Sequence, residues 1–171
     1  MSHETNEAVV RKPAFPSAAS VIFTGVAAIV AAGAAFGALH LGFAPWAMFV
    51  GWVAYFTRPI SAAQGIKTGL CVWLGVAIGA AAALALGALG PIFGQAAILP
   101  VVFVVACVVL ALRSVPPFDN VLAWFLGLIA FFASHLPPSL LSIAELGAAA
   151  SGGILAGWIA QRLQARLAGP H

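Results

Sequence analysis

The sequence predicts an all-α, polytopic membrane protein: six transmembrane helices arranged as two inverted three-helix repeats. Three observations lead there. Hydrophobic residues make up 63% of the 171-residue chain and charged residues 6%, with a mean hydropathy of +1.11. A soluble domain carries about 25% charged residues, because its surface faces water. This chain cannot solvate its own surface, so its net charge of +3 is no sign of a nucleic-acid partner. Second, all seven Lys and Arg residues fall on one side of a membrane if there are six spans. Third, "AMFVGWVAYF", Ala47 to Phe56, returns 76 positions later as "AWFLGLIAFF", Ala123 to Phe132, with five of ten positions identical.

Residues 1–19 are polar and read as a cytoplasmic tail. The first span is expected over Ser20–Leu39. Arg11 and Lys12 precede it as they would a signal peptide, but its apolar run exceeds the roughly 7–15 residues of a cleaved signal. It therefore reads as a retained helix. The second span, Leu41–Phe56, begins around "LGFAP", with Trp46 at the level of the outer aromatic belt. "TRPISAAQG" leads to the third, Ile66–Leu89; "LGPIFG" leads to the fourth, Ala96–Leu112. "RSVPPFDN" opens the fifth, Phe118–Ser134, where Asp119 beside Asn120 reads as a helix-start residue. "HLPPS" precedes the sixth, Leu140–Gln161, and residues 162–171 form a second cytoplasmic tail. The connections are Gly, Pro and Ser punctuation. Continuous apolar runs of this length exclude barrel strands. Cys71 and Cys107 lie inside such runs and read as packing residues rather than a disulfide.

Six spans place Arg11, Lys12, Arg58, Lys67, Arg113, Arg162 and Arg166 on one side. That distribution orients both termini toward the cytoplasm. The repeat follows from the same count. A shift of 76 maps the first span onto the fourth and the second onto the fifth. A shift of 78 maps the third onto the sixth, pairing Gly69 with Gly147, Gly75 with Gly153 and Gly79 with Gly157. Residues 20–89 and 96–161 are then two halves, and an odd number of spans in each makes them inverted, a construction common among transporters. Chance likeness between alanine-rich segments competes with this explanation. It is outweighed by the Gly, Phe and loop positions that recur in order.

The second and fifth spans are short, each with a central glycine and flanking prolines. Paired short, interrupted segments point to a solute path, lined by Phe49, Gly51, Tyr55, Phe56, Phe125, Gly127, Phe131 and Phe132. Short spans in a locally thinned bilayer are the bland alternative. Gly75, Gly79, Gly153 and Gly157 have the four-residue spacing of helix-packing faces. Glu145 lies about 9 Å into the sixth span by helical rise. With His40 and His135 it is a candidate for an outer vestibule, where its competing role is an interfacial carboxylate. These three are too loosely placed for a metal site, and no cofactor is expected. No catalytic triad, phosphate-cradling loop or Cys–His cluster occurs, so an enzyme is not expected.

"WAMFVGWVAYFTRP", Trp46 to Pro59, followed by "GIKTG", Gly65 to Gly69, resembles the bacterial inner-membrane family named domain of unknown function 1097. Trp46, Ala47, Phe49, Gly51, Tyr55, Phe56, Pro59 and Lys67 carry the likeness. The resemblance implies a small multi-span inner-membrane protein and supplies no substrate. The expected function is a channel or facilitator for a small solute through the paired short helices; the alternative is a non-transporting subunit or scaffold assembled with another protein. Six short spans leave little room for a pore in one chain, so a homo-oligomer in the lipid bilayer is expected either way.

Overall fold

A computed structural model describes residues 18–168. Residues 1–17 of the tail expected over 1–19, with Arg11 and Lys12, and residues 169–171 lie outside the described residues, while residues 18 and 19 already belong to a helix. The described chain is all-α: α1 (Ala18–His40), α2 (Pro45–Tyr55), α3 (Ala62–Phe93), a 3₁₀ turn (Gly94–Ala97), α4 (Ile98–Leu112), α5 (Val121–Ser134) and α6 (Leu140–Ala168).

Local chemistry sets these boundaries. Pro45 occupies the first turn of α2, where its missing N–H is no loss. The Ser61 hydroxyl accepts from the Gln64 amide at 3.0 Å, so α3 starts within the stretch expected to be a loop. Pro91, expected in a turn, lies inside the last turns of α3. That helix ends at Gly94, whose φ of +56° suits a residue without Cβ. Asn120, not Asp119, caps α5 by accepting from the Ala123 amide at 3.2 Å. α6 continues to Ala168, so Arg162 and Arg166 stand on a helix and not on the expected tail.

Three helical stretches are long and apolar enough to cross a membrane: Ser20–His40, Ala62–Leu112 and Leu140–Leu167; Val121–Ser134 is a shorter apolar helix. As one rod, the 51 residues of the middle stretch would reach roughly 77 Å at 1.5 Å per residue, far beyond a hydrocarbon core of about 30 Å. They instead fold at the 3₁₀ turn. Ile78, Ala82 and Leu89 of α3 share a groove with Pro100, Val104 and Val108 of α4, so the two helices run alongside one another.

The main packing is α2 on α6 and α5 on α3, with α3 and α1 also against α6. Two apolar cores result. One gathers Ala54, Cys71, Val72, Val109, Ala123, Trp124 and Ala150; the other gathers Ala47, Val76, Ala80, Phe131, Leu146 and Ala149. Cys71 and Cys107 are free thiols. α4 is sparsely covered, with only Val101 and Val109 buried, and in α1 Ala38 alone is buried among the described side chains. The outside is as apolar as the inside: Ile29 is 74% exposed, Leu99 70% and Phe103 69%. Apolar surface on this scale needs lipid or another protein against it.

Candidate functional site

α2 and α5 contain the repeated phrase, and their central glycines decide how they pack. A Cβ on Gly51 would collide with the Ala150 carbonyl of α6, and one on Gly127 would collide with the Val72 carbonyl of α3. The reverse contacts come from the long helices. Gly153 meets the Met48 carbonyl of α2, and Gly75 meets the Trp124 carbonyl of α5. At each crossing two backbones approach closely enough that the glycine hydrogen points at a carbonyl oxygen, the arrangement of a Cα–H···O contact. One turn further along, Gly157 receives the Tyr55 ring and Gly79 the Phe131 ring.

This geometry corrects the expected solute path. Gly51 and Gly127 point into α6 and α3 rather than across a passage toward each other. Of the six aromatics, only Tyr55 and Phe131 are buried; Phe49, Phe56, Phe125 and Phe132 are exposed on the outer face. The repeated phrase therefore turns its glycine side inward and the rings of Phe49, Phe56, Phe125 and Phe132 outward. The glycine fixes this face, because only a side without Cβ lets the backbones come so close.

The expected vestibule is not assembled into a binding cluster. His40 Nδ1 contacts the Phe36 carbonyl at 3.1 Å, and its ring rests on Phe36. His135 Nδ1 contacts the Ala133 carbonyl at 2.9 Å, and both histidines are exposed. Glu145 is half-buried on α6. Among the described residues no three His, Cys, Asp or Glu side chains are grouped to hold a metal ion.

Two polar arrangements escaped the sequence reading. The first joins the 56–61 and 113–120 loops at one end of the bundle. Asn120 Nδ2 donates to Thr57 Oγ1 at 2.8 Å and to Thr68 Oγ1 at 3.2 Å. Arg58 donates to the Asp119 carbonyl at 2.6 Å and pairs with its carboxylate at 3.2 Å. Gln164 of α6 donates to the Phe23 carbonyl of α1, bringing the start of α1 and the end of α6 together. Position was the available signal: Asn120 stands directly before an apolar run.

The second arrangement lies between α3 and α6. Trp73 Nε1 donates to Ser151 Oγ at 3.0 Å, and Ser151 donates onward to the Gly147 carbonyl at 2.8 Å. Trp73 and Ser151 are partners under the 78-residue shift, which was the signal for this pair. The bond closes one end of a groove of about 510 Å³. Its walls are Gly65, Gly69 and Leu70 of α3 with Ile154 and Trp158 of α6, and Tyr55 adds its ring. The Tyr55 hydroxyl and Trp158 Nε1 are buried without hydrogen-bond partners. Ser151→Ala is expected to cost about 0.6–1.7 kcal/mol, the range for hydrogen bonds between membrane helices, measured by reversible unfolding in mixed detergent. A neutral result would show that the Trp73 indole finds another acceptor.

The family described as a protein of unknown function (DUF1097) matches residues 21–165 of the chain. No curated protein matches it, and no solved structure does.

Proposed function

The chain belongs to that family of unknown function, and on this premise we propose that it is a six-span membrane subunit serving assembly or scaffolding, not a channel through one chain. One observation carries the reading: α2 and α5 are seated backbone-to-backbone on α6 and α3 through Gly51, Gly127, Gly75 and Gly153. A dry crossing occupies the place where a passage between the short helices would run. The larger cavities are apolar grooves between neighbouring helices. The sparsely covered α4 offers a flank for assembly, with a homo-oligomer the simplest form. The reading assigns the chain no reaction and no cofactor.

The proposed architecture is a pair of inverted three-helix halves about a pseudo-two-fold axis. Three pairs of contacts support it. Gly51–Ala150 is matched by Gly127–Val72, Gly153–Met48 by Gly75–Trp124, and Gly157–Tyr55 by Gly79–Phe131. Each match follows from the shifts of 76 for the short helices and 78 for the long ones. The proposed orientation puts both termini on the cytoplasmic side of a bacterial inner membrane. It draws support from the Arg58–Asp119 pair and the Gln164–Phe23 bond, which gather basic segments at one end.

The test is solute flux in liposomes containing purified protein, run beside cysteine-accessibility mapping at Ser61 and Ser139. Flux of small neutral solutes at the rate of empty liposomes is expected, with the two positions labelled from opposite sides. Reproducible flux that changes with Tyr55→Phe or Phe131→Ala would overturn the scaffold reading. Labelling of both positions from one side would overturn the inverted halves.

A further inference from the structure

We propose that the groove between α3 and α6 holds an anionic phospholipid of the cytoplasmic leaflet, one acyl chain along the helices and the phosphate at the Tyr55–Trp158–Arg162 end. The inference uses the orientation proposed above but does not depend on whether the protein transports.

The groove is amphipathic along its length. On α3 it runs from Ala62 to Trp73, about 17 Å by helical rise, close to one leaflet of a hydrocarbon core of about 30 Å. Gly69, Leu70 and Ile154 give the middle an apolar wall, and the missing side chain of Gly69 leaves the width for an alkyl chain. The Trp73–Ser151 hydrogen bond closes the end nearer the membrane centre. The opposite end is built differently. Tyr55 is 2% exposed, its ring held between Gly65 and Gly157, and its hydroxyl has no partner. Trp158 Nε1 is likewise buried and unpartnered. A buried polar group without a partner costs stability, and both can donate to a phosphate or ester oxygen. Arg162 stacks over the Trp158 ring at 5.2 Å, and among the described residues it has no carboxylate partner. Two donors and one cation at the cytoplasmic end of an acyl-sized slot match an anionic headgroup above its chain.

The experiment uses the full chain in detergent micelles doped with phosphatidylglycerol or with phosphatidylcholine of the same acyl chains. Bound lipid is counted by native mass spectrometry, and the thermal midpoint is followed in parallel. One phosphatidylglycerol per chain is expected, held about fivefold more tightly than phosphatidylcholine, the effect of one basic residue at an anionic surface. Arg162→Gln is expected to remove that preference. Tyr55→Phe is expected to weaken phosphatidylglycerol binding about fivefold, as for one lost hydrogen bond, while leaving the lipid-free midpoint unchanged or raised. Equal retention of the two lipids would overturn the proposal, as would binding that survives both substitutions. So would disulfide formation between chains carrying Leu70→Cys and Cys107→Ser at saturating lipid, which would put a second copy in the groove. Solute flux, by contrast, would refute the scaffold reading and leave the lipid result standing.

Discussion

Gly51→Leu and Gly127→Leu are each expected to abolish recovery of folded, monodisperse protein. The obstacle at both positions is a backbone carbonyl, of Ala150 and of Val72. A flexible neighbour could swing aside; a carbonyl in the middle of a packed helix moves only if the helix moves. Overpacking a core with extra side-chain carbons costs about 1–3 kcal/mol. A collision with backbone exceeds that range, against a total stability of about 5–15 kcal/mol. Even Gly51→Ala is therefore expected to lower the thermal midpoint strongly. Gly87→Ala is the contrast: nothing lies within 4 Å of the Cβ it would gain, and glycine within a helix is about 1 kcal/mol less favourable than alanine. That variant should be neutral or more stable. Size-exclusion profiles and thermal midpoints in detergent separate the cases. If Gly51→Leu and Gly127→Leu are tolerated as Gly87→Ala is, α2 and α5 do not sit on α6 and α3 as described. If one fails and the other is tolerated, the equivalence of the two crossings fails with it.

The same glycines mark what the sequence could and could not disclose. Helix class and element order were legible because apolar runs and Pro-Gly punctuation survive in a single sequence. The direction in which each helix faces was not. In a soluble helix a polar face opposes an apolar one, and the period locates the core. Here Phe49 and Phe125 on the outside are as apolar as Met48 and Trp124 on the inside, so the pattern of hydrophobicity is silent about direction. Residue size carried the missing information. Phe56 and Phe132 looked like lining because they are aromatic, yet the inward faces of α2 and α5 run through Ala47, Gly51 and Ala54 and through Ala123, Gly127 and Ala130. Small residues collect where backbones meet. Helix ends were blurred for a different reason: a cap depends on one hydrogen bond. Ser61 extended α3 into an apparent loop, and Asn120 took the position that Asp119 seemed to hold. The groove between α3 and α6 was illegible because Tyr55, Trp73 and Trp158 come from three separate segments.

Asn120→Leu is expected to destabilise the protein by roughly 2–4 kcal/mol, the sum of a lost helix cap and a broken buried hydrogen-bond network. Asn120 is 5% exposed and serves three partners at once. Its carbonyl oxygen accepts from the Ala123 amide; its amide nitrogen donates to Thr57 and Thr68. Leucine would strand the buried Ala123 amide and remove a donor from the buried Thr68 hydroxyl and the half-buried Thr57 hydroxyl. Asn120→Ser isolates the two contributions, because a serine oxygen still caps α5 but cannot span to Thr57 and Thr68. About half the loss is expected to remain. Arg58→Gln supplies the comparison at the same junction. Arg58 and Asp119 keep 29% and 35% of their side-chain surface exposed, and solvent-screened pairs contribute about 1 kcal/mol or less. The neutral, buried amide should therefore matter more than the visible ion pair. Reversible unfolding in mixed detergent reads all three variants on one scale. An Asn120→Leu cost no larger than that of Arg58→Gln would show that the 56–61 and 113–120 loops are held by charge, and would remove Asn120 from the junction that joins α2, α3 and α5.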